Sequence, residues 1–415
     1  MIAFIPRNVR GTRKCIYYAI ILFFIYEFLA RNFGLNRNFC YAIEFFSIIL
    51  LFKHPYKLKH TKLYIPFISL IALLLVTIIG ALIQTINPFN YIMGIRGQFL
   101  SMVFLFACAS YLSIKDYQFF FNFFYKIQIL NVICTIIQYT LYHQSEDFNN
   151  GAFTSGATQD IFCGVLMTYY FYAYNRKLVE LKKLIFVLIS SLFIAIIQDE
   201  RFIFIEIGVI FLYFCLTGKI TKRKLLLIII MLAIIIAGFR NLSSGQAETL
   251  NSAENILEYS KTTGAGYGLP RIGSAKMISD MFFNTPIEKI FGIGLGKGAE
   301  NNLPLIDTSF YDKYNYLTYH LFTFQNVFLQ TGWTGIILYL SFFITLLMYN
   351  FKYKKIAPPQ YKYLYDISII VTILCIILIW YNATLRIYYG IFPYFILGIG
   401  PSVTKMLNKK RNINR

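Results

Sequence analysis

The chain has 415 residues, of which 57% are hydrophobic and only 14% charged, with a mean hydropathy of +0.58. Ordinary soluble domains carry about 25% charged residues. No core of this length could hide so much apolar surface from water, so a soluble globular enzyme is excluded and lipid is the expected solvent. The formal net charge of +20 would ordinarily suggest nucleic acid or anionic surfaces, but its placement along the chain reads as a topology signal, and no nucleic-acid partner is expected.

A spanning helix needs roughly 17–25 residues, somewhat fewer when aromatics flank it. Apolar runs of that kind lie near 15–30, 36–52, 63–85, 97–114, 119–142, 159–174, 184–198, 202–217, 225–239, 324–350, 366–382 and 386–403. The expected fold is all-α: a polytopic integral membrane helix bundle of about twelve spans with one large extracytoplasmic helical loop. Residues 1–239 form the first part of the bundle, 240–323 the loop domain, and 324–415 the last spans with a basic tail.

Lysine and arginine alternate along this order. They cluster at Arg7, Arg10, Arg13 and Lys14, then at Lys53, Lys57, Lys59 and Lys62, and at Arg176, Lys177, Lys182 and Lys183. The series continues with Lys219, Lys222, Arg223 and Lys224, with Lys352, Lys354, Lys355 and Lys362, and with Lys405, Lys409, Lys410 and Arg411. These connections all share one parity. The positive-inside rule puts them and both termini in the cytoplasm. The stretch 184–216 would reach about 50 Å as one helix, well beyond a hydrocarbon core of about 30 Å. Two spans turning at Asp199-Glu200-Arg201 fit better. The basic N-terminus and first apolar run lack a clean small-x-small cleavage site and read as an uncleaved span.

Seven cysteines fall in or beside spans, and the four histidines show no ligand spacing. Neither a disulfide framework nor a metal centre is expected, and no cofactor is implied.

The long segment 240–323 interrupts the rhythm of short loops, and its seven basic and eight acidic residues nearly balance. Loops of that length inside compact proteins are usually functional or disordered. Residues 247–262 and 271–291 read as amphipathic helices, the second broken at Pro286 and ending in the glycine run Gly292 to Gly298. That run lacks the Ser/Thr of a nucleotide loop and no strand precedes it. It reads as a turn returning the backbone to the membrane surface, with phosphate cradling by its amides as the alternative.

Four arginines are placed at the extracytoplasmic ends of spans or in the loop: Arg96, Arg201, Arg271 and Arg386. A guanidinium at a lipid–water boundary either anchors the helix or engages phosphate with its planar fork. His320 stands just before the tenth span, as an interfacial histidine or as a general base on a hydroxyl. Glu200 is a second candidate base, or the ion-pair partner of Arg201. Gln325 and Asn326 follow as polar candidates for substrate binding, and Gly332 and Gly335 permit close helix packing.

In this order the features resemble the O-antigen polymerase and ligase family of bacterial envelope glycan assembly. The similar pieces are GIRGQF around Arg96, the QDER turn, Arg271 followed by an amphipathic helix, Pro286 and FGIGLGKG, then His320 and GWTGIILY. One departure is that His320 precedes Leu321, with the asparagine only at Asn326. The resemblance implies a metal-independent membrane glycosyltransferase of the bacterial cytoplasmic (inner) membrane, acting on undecaprenyl-diphosphate-linked oligosaccharide at the outer face. A chain-length regulator and a flippase would be its partners. Arg271 and Arg96 would hold the departing diphosphate, and His320 or Glu200 would take the proton of the attacking hydroxyl; Arg201 and Arg386 are further candidates for substrate binding. Polymerisation of repeat units into an O-antigen or capsule is the expected activity, with ligation onto a lipid core as the alternative. Flipping ranks behind both, since few ionisable residues lie within spans and no internal repeat is visible.

Overall fold

The computed structural model describes residues 11–53, 58–144, 149–198, 202–217, 221, 224–229, 268–271, 273–300 and 305–413. The ninth span expected at 225–239 is therefore described only to 229, and the amphipathic stretch 247–262 lies outside the described residues.

Among the described residues every regular element is a helix. In chain order these are α1 (Thr12–Phe33), α2 (Cys40–Lys53), α3 (Leu58–Thr61), α4 (Tyr64–Ile83), α5 (Pro88–Tyr111), α6 (Ile114–Thr140), α7 (Gly156–Asn175), α8 (Leu181–Ile197) and α9 (Phe202–Leu216). The long loop holds α10 (Ser274–Phe282), α11 (Pro286–Phe291) and α12 (Ser309–Tyr314). The chain closes with α13 (Thr323–Ile356), α14 (Lys362–Tyr381), α15 (Ile391–Leu397) and α16 (Ile399–Ile413). Seven helical stretches are long and apolar enough to cross a membrane: Thr12–Phe33, Tyr64–Ile83, Pro88–Tyr111, Ile114–Thr140, Thr323–Ile356, Pro359–Tyr381 and Ile387–Lys410. Cys40–Leu50 and Phe202–Leu216 are shorter apolar helices.

Local chemistry sets the helix ends. Pro88 opens α5 behind the Asn87 side chain, which accepts from the Phe89 amide at 2.9 Å. Ser113 and Asp116 form a capping box at the start of α6, and Thr285 and Glu288 form another for α11. Pro286 thus starts a helix of its own, and the 271–291 stretch breaks there into two helices. At the other extreme, the Lys405 ammonium donates to the Ser110 and Leu112 carbonyls at 3.0 and 2.6 Å, and so satisfies acceptors at the C-terminus of α5.

Phenylalanines from α1, α6, α7 and α15 interlock in the middle of the bundle. Phe24, Phe124, Phe162 and Phe392 stand with ring centroids 5.1–6.1 Å apart. Such pairs each add about 0.5–1.5 kcal/mol beyond the area they bury. The two glutamates that interrupt the first two apolar runs are both buried. Glu27 accepts from the Thr154 amide and hydroxyl at 2.9 and 2.8 Å, and Glu44 is ion-paired with Arg96.

Polar contacts between connections mark the two ends of the bundle. At one end Arg13 pairs with Asp116, the Asn408 amide donates to the His60 carbonyl at 2.9 Å, and Lys354 pairs with Asp366 at 2.5 Å. At the other, the Arg31 guanidinium donates to the Gln144 carboxamide at 2.7 Å, the Gln84 carboxamide to the Gly292 carbonyl at 3.2 Å, and the Thr323 hydroxyl to the Asn382 carbonyl at 2.8 Å. The first is called the basic end below and the second the loop end.

Candidate active site

Five of the candidate residues, Arg271, His320, Gln325, Asn326 and Arg386, are brought together at the loop end, around residues 317–326. The Leu269 amide donates to the Leu317 carbonyl at 2.9 Å, and the Gln325 carboxamide donates to the Pro270 carbonyl at 3.1 Å. Together these clamp the chain that carries Arg271 against the start of α13. The Arg271 guanidinium then lies over two aromatic faces, 4.7 Å from the Tyr381 centroid and 5.5 Å from that of Phe322. Tyr381 in turn stacks on Phe202 at 4.4 Å. Aromatic faces stabilise a cation but leave its donors uncommitted.

Arg386 approaches the same segment from the other side. It is 8% exposed, and its Nη1 donates to the His320 carbonyl at 3.4 Å. Burial lowers its pKa from the usual guanidinium value, while the nearby Tyr339 and Tyr319 hydroxyls act in the opposite sense. Neither Arg271 nor Arg386 has a carboxylate partner among the described residues. The His320 ring stands edge-on to Tyr311 and Tyr319, with centroids 5.3 and 5.7 Å away. Tyr319 is itself buried and donates to the Gly298 carbonyl at 2.9 Å.

Asn326 and Gln330 extend this constellation into α13. The Gln330 carboxamide donates to Asn326 at 2.7 Å and accepts from the Gly296 amide at 2.7 Å. Asn326 and Gln325 therefore hold protein segments in place: Gln325 the arginine-bearing strand, Asn326 the side chain that receives the glycine run. Both are buried.

Most amides of the glycine run are already engaged within the protein, unlike those that a phosphate loop presents. Gly292 donates to the Glu288 carbonyl, Ile293 to Leu329, Gly294 to Gln330 and Lys297 to Gly294. Gly296 has φ 92°, and a Cβ there would run into the Asn90 carbonyl of α5. The run is a backbone turn packed between α5 and α13.

Arg96 does not belong to this cluster. Its guanidinium forms a two-point pair with Glu44 of α2 and lies 4.4 Å from the Tyr41 ring centroid. Its charge is already met by a buried carboxylate, which answers the cost of placing it in the bundle and takes up the donors a phosphate would need. Arg201 and Glu200 lie outside the described residues. What sequence reading missed is the aromatic frame of Phe322, Tyr381, Tyr319 and Tyr311, together with Gln330; the only signal was their closeness in sequence to Arg271, His320 and Arg386.

Two cations without a carboxylate partner among the described residues, aromatic walls and an imidazole form an arrangement suited to an anionic group, with a base at hand. No groups of three or more His, Cys, Asp or Glu that could hold a metal are found among the described residues. Compared with known proteins, the chain matches no family model and no curated protein, so the geometry alone carries the functional reading.

Proposed function

We propose that the protein is a membrane glycosyltransferase that polymerises undecaprenyl-diphosphate-linked oligosaccharide units on the extracytoplasmic face of a bacterial cytoplasmic membrane. About twelve spans and cytoplasmic termini belong to this reading. The observation that carries it is the pair Arg271 and Arg386, two guanidiniums without a carboxylate partner among the described residues, both set against the segment that bears His320.

Cleavage of a sugar–diphosphate bond develops negative charge on the leaving diphosphate and positive charge at the anomeric carbon. The acceptor hydroxyl forms the new C–O bond as the bond to diphosphate breaks, and its proton passes to a base. Arg271 and Arg386 supply positive charge where the diphosphate departs, and His320 is the described candidate for the base. Arg96 is left out of this step because Glu44 holds it. Transfer onto a lipid core would use the same groups, and the test separates the two.

Arg271→Ala is expected to abolish long surface glycan, and Arg271→Lys to reduce it, because lysine keeps the charge and loses the two-point fork. Electrophoresis of surface glycan reads the result, with immunoblotting to show wild-type amounts of protein in the membrane. Undiminished long chains in a stably expressed Arg271→Ala strain would overturn the assignment. In a deletion strain, lipid cores bearing a single repeat mark a polymerase; full-length glycan retained on the polyprenyl carrier marks a ligase.

A further inference from the structure

The segment 274–291 shows two exposed surfaces of opposite character. On α10, Ser274, Ile278 and Phe282 are buried at helical spacing; Met277 and Met281 form an exposed apolar stripe beside them, and Lys276 and Asp280 an exposed polar stripe beyond. A helix in solvent needs two faces, one apolar and inward, one polar and outward. A helix with an exposed apolar stripe between its packed and polar faces is built for a boundary. On α11 no side chain is buried, and Ile287 and Ile290 are exposed beside the exposed Lys289.

The position of α11 on the bundle says what lies against that stripe. Phe291 packs on Gly80, one turn below the end of α4: a Cβ at Gly80 would lie 3.2 Å from the Phe291 carbonyl oxygen. The Ile290 carbonyl accepts from the Thr334 hydroxyl at 2.6 Å and sits against Gly332, beside the exposed Trp333. The exposed apolar side chains of α11 are thus level with the last turn of one lipid-facing helix and with a tryptophan at the head of another. Leu82 and Ile83 in the last turn of α4 and Ile337 one turn beyond Trp333 on α13 are exposed apolar side chains as well. Tryptophan marks the membrane–water boundary, and interfacial helices sit about 5–10 Å into the headgroup and acyl boundary.

We infer that α10 and α11 form an interfacial element seated in the outer leaflet, with Met277, Met281, Ile287 and Ile290 in contact with lipid acyl chains. The occupant of this surface is the bilayer itself. Backbone at such a depth must satisfy its polar groups within the protein, and much of 292–297 does so through bonds to α11, to α13 and within the run, with the Gln84 side chain on the Gly292 carbonyl. The loop that carries Arg271 is thereby tied to the membrane surface through α10, which begins three residues later. This inference does not depend on the chemistry proposed above.

Single-tryptophan forms of the full chain, made on Trp333→Phe/Trp380→Phe and reconstituted in vesicles of bromine-labelled phosphatidylcholine, test it. Met281→Trp is expected to be quenched several-fold more strongly by the bromolipid than Asp280→Trp, with aqueous iodide giving the reverse order. Ile287→Trp and Lys289→Trp repeat the comparison on α11 in case substitution on α10 disturbs folding. Equal quenching on both faces would overturn the inference, as would a Trp at 281 or 287 shielded from both quenchers, the result expected if another protein chain covers the surface.

Discussion

Arg386 is a buried cation with a single backbone carbonyl bond and no carboxylate among the described residues. Such a charge is held against a desolvation penalty of several kcal/mol. If an anionic substrate supplies the missing counter-charge, the resting protein is strained at this point, and removing the charge stabilises it. Arg386→Met is therefore expected to raise the thermal midpoint, by the equivalent of about 1–3 kcal/mol, while abolishing polymer formation. Thermal unfolding in detergent, read beside glycan electrophoresis, checks both halves. A destabilised protein that still makes long glycan would show Arg386 to be a packing residue. Arg96 was indistinguishable from Arg386 in sequence, since both are arginines at span ends among aromatics. What separates them is Glu44, 52 residues away and visible only as an interruption of the second apolar run. Pairing across helices decides whether a membrane arginine is structural or available, and no local pattern encodes it. Arg271 stood out in the sequence through local features, Pro270 before it and an amphipathic stretch after, whereas the Tyr381 and Phe322 rings that it meets are distant in sequence.

At the scale of elements, the glycine run and the first turns of α13 form one docked unit. Gly332 has φ 62° and ψ −161°, a break within α13 that lets Ile290 and Gly292 lie directly against it. Residues 323–331 thus form a separate, fully buried helix above the span proper. Hydropathy missed this break because the residues on either side are apolar enough for one continuous span; the Gly332 and Gly335 pair was visible but read as helix packing. The loop 149–155 was equally hidden. It is buried through Gln138 and Asn131, which bond the Gly151 and Ala152 amides at 2.8 and 2.9 Å, and no charge or periodicity announces it. The amphipathic α10 and the proline-started α11 were readable because their signals are periodic and short-range. If the docked turn is as tight as its contacts imply, Gly296→Ala must displace α5 or rotate out of its left-handed conformation. It is expected to lower stability by about 2–4 kcal/mol. Gly97→Ala, on the same helix with open space around it, is expected to be neutral or slightly stabilising. Comparing thermal midpoints of the two purified variants checks the claim, and equal midpoints would refute it.

Over the whole molecule, the strongest sequence signal was the alternation of basic connections, and the polar contacts follow the same division. Connections expected on one side bond to one another: the N-terminus to the start of α6, the 54–63 connection to α16, the end of α9 to α13 and α14 through Tyr213, Lys354 and Asp366. Those expected on the other side do likewise, from Arg31 and Gln144 through Gln84 and Gly292 to Thr323 and Asn382. The proposed orientation rests on charge, because lysine and arginine near span ends are retained on the cytoplasmic side. In that orientation Arg271, His320 and Arg386 face outward, where nucleotide sugars are absent and a lipid-linked donor is the available substrate. Fusions make this measurable. A fluorescent protein that matures only in the cytoplasm is expected to be bright when joined after residue 413. Alkaline phosphatase, active only outside, is expected to be active when joined near residue 300 and inactive when joined near residue 358. The opposite pattern would put Arg271 and Arg386 in the cytoplasm and remove the ground for a polyprenyl-diphosphate donor, while leaving the helix packing untouched.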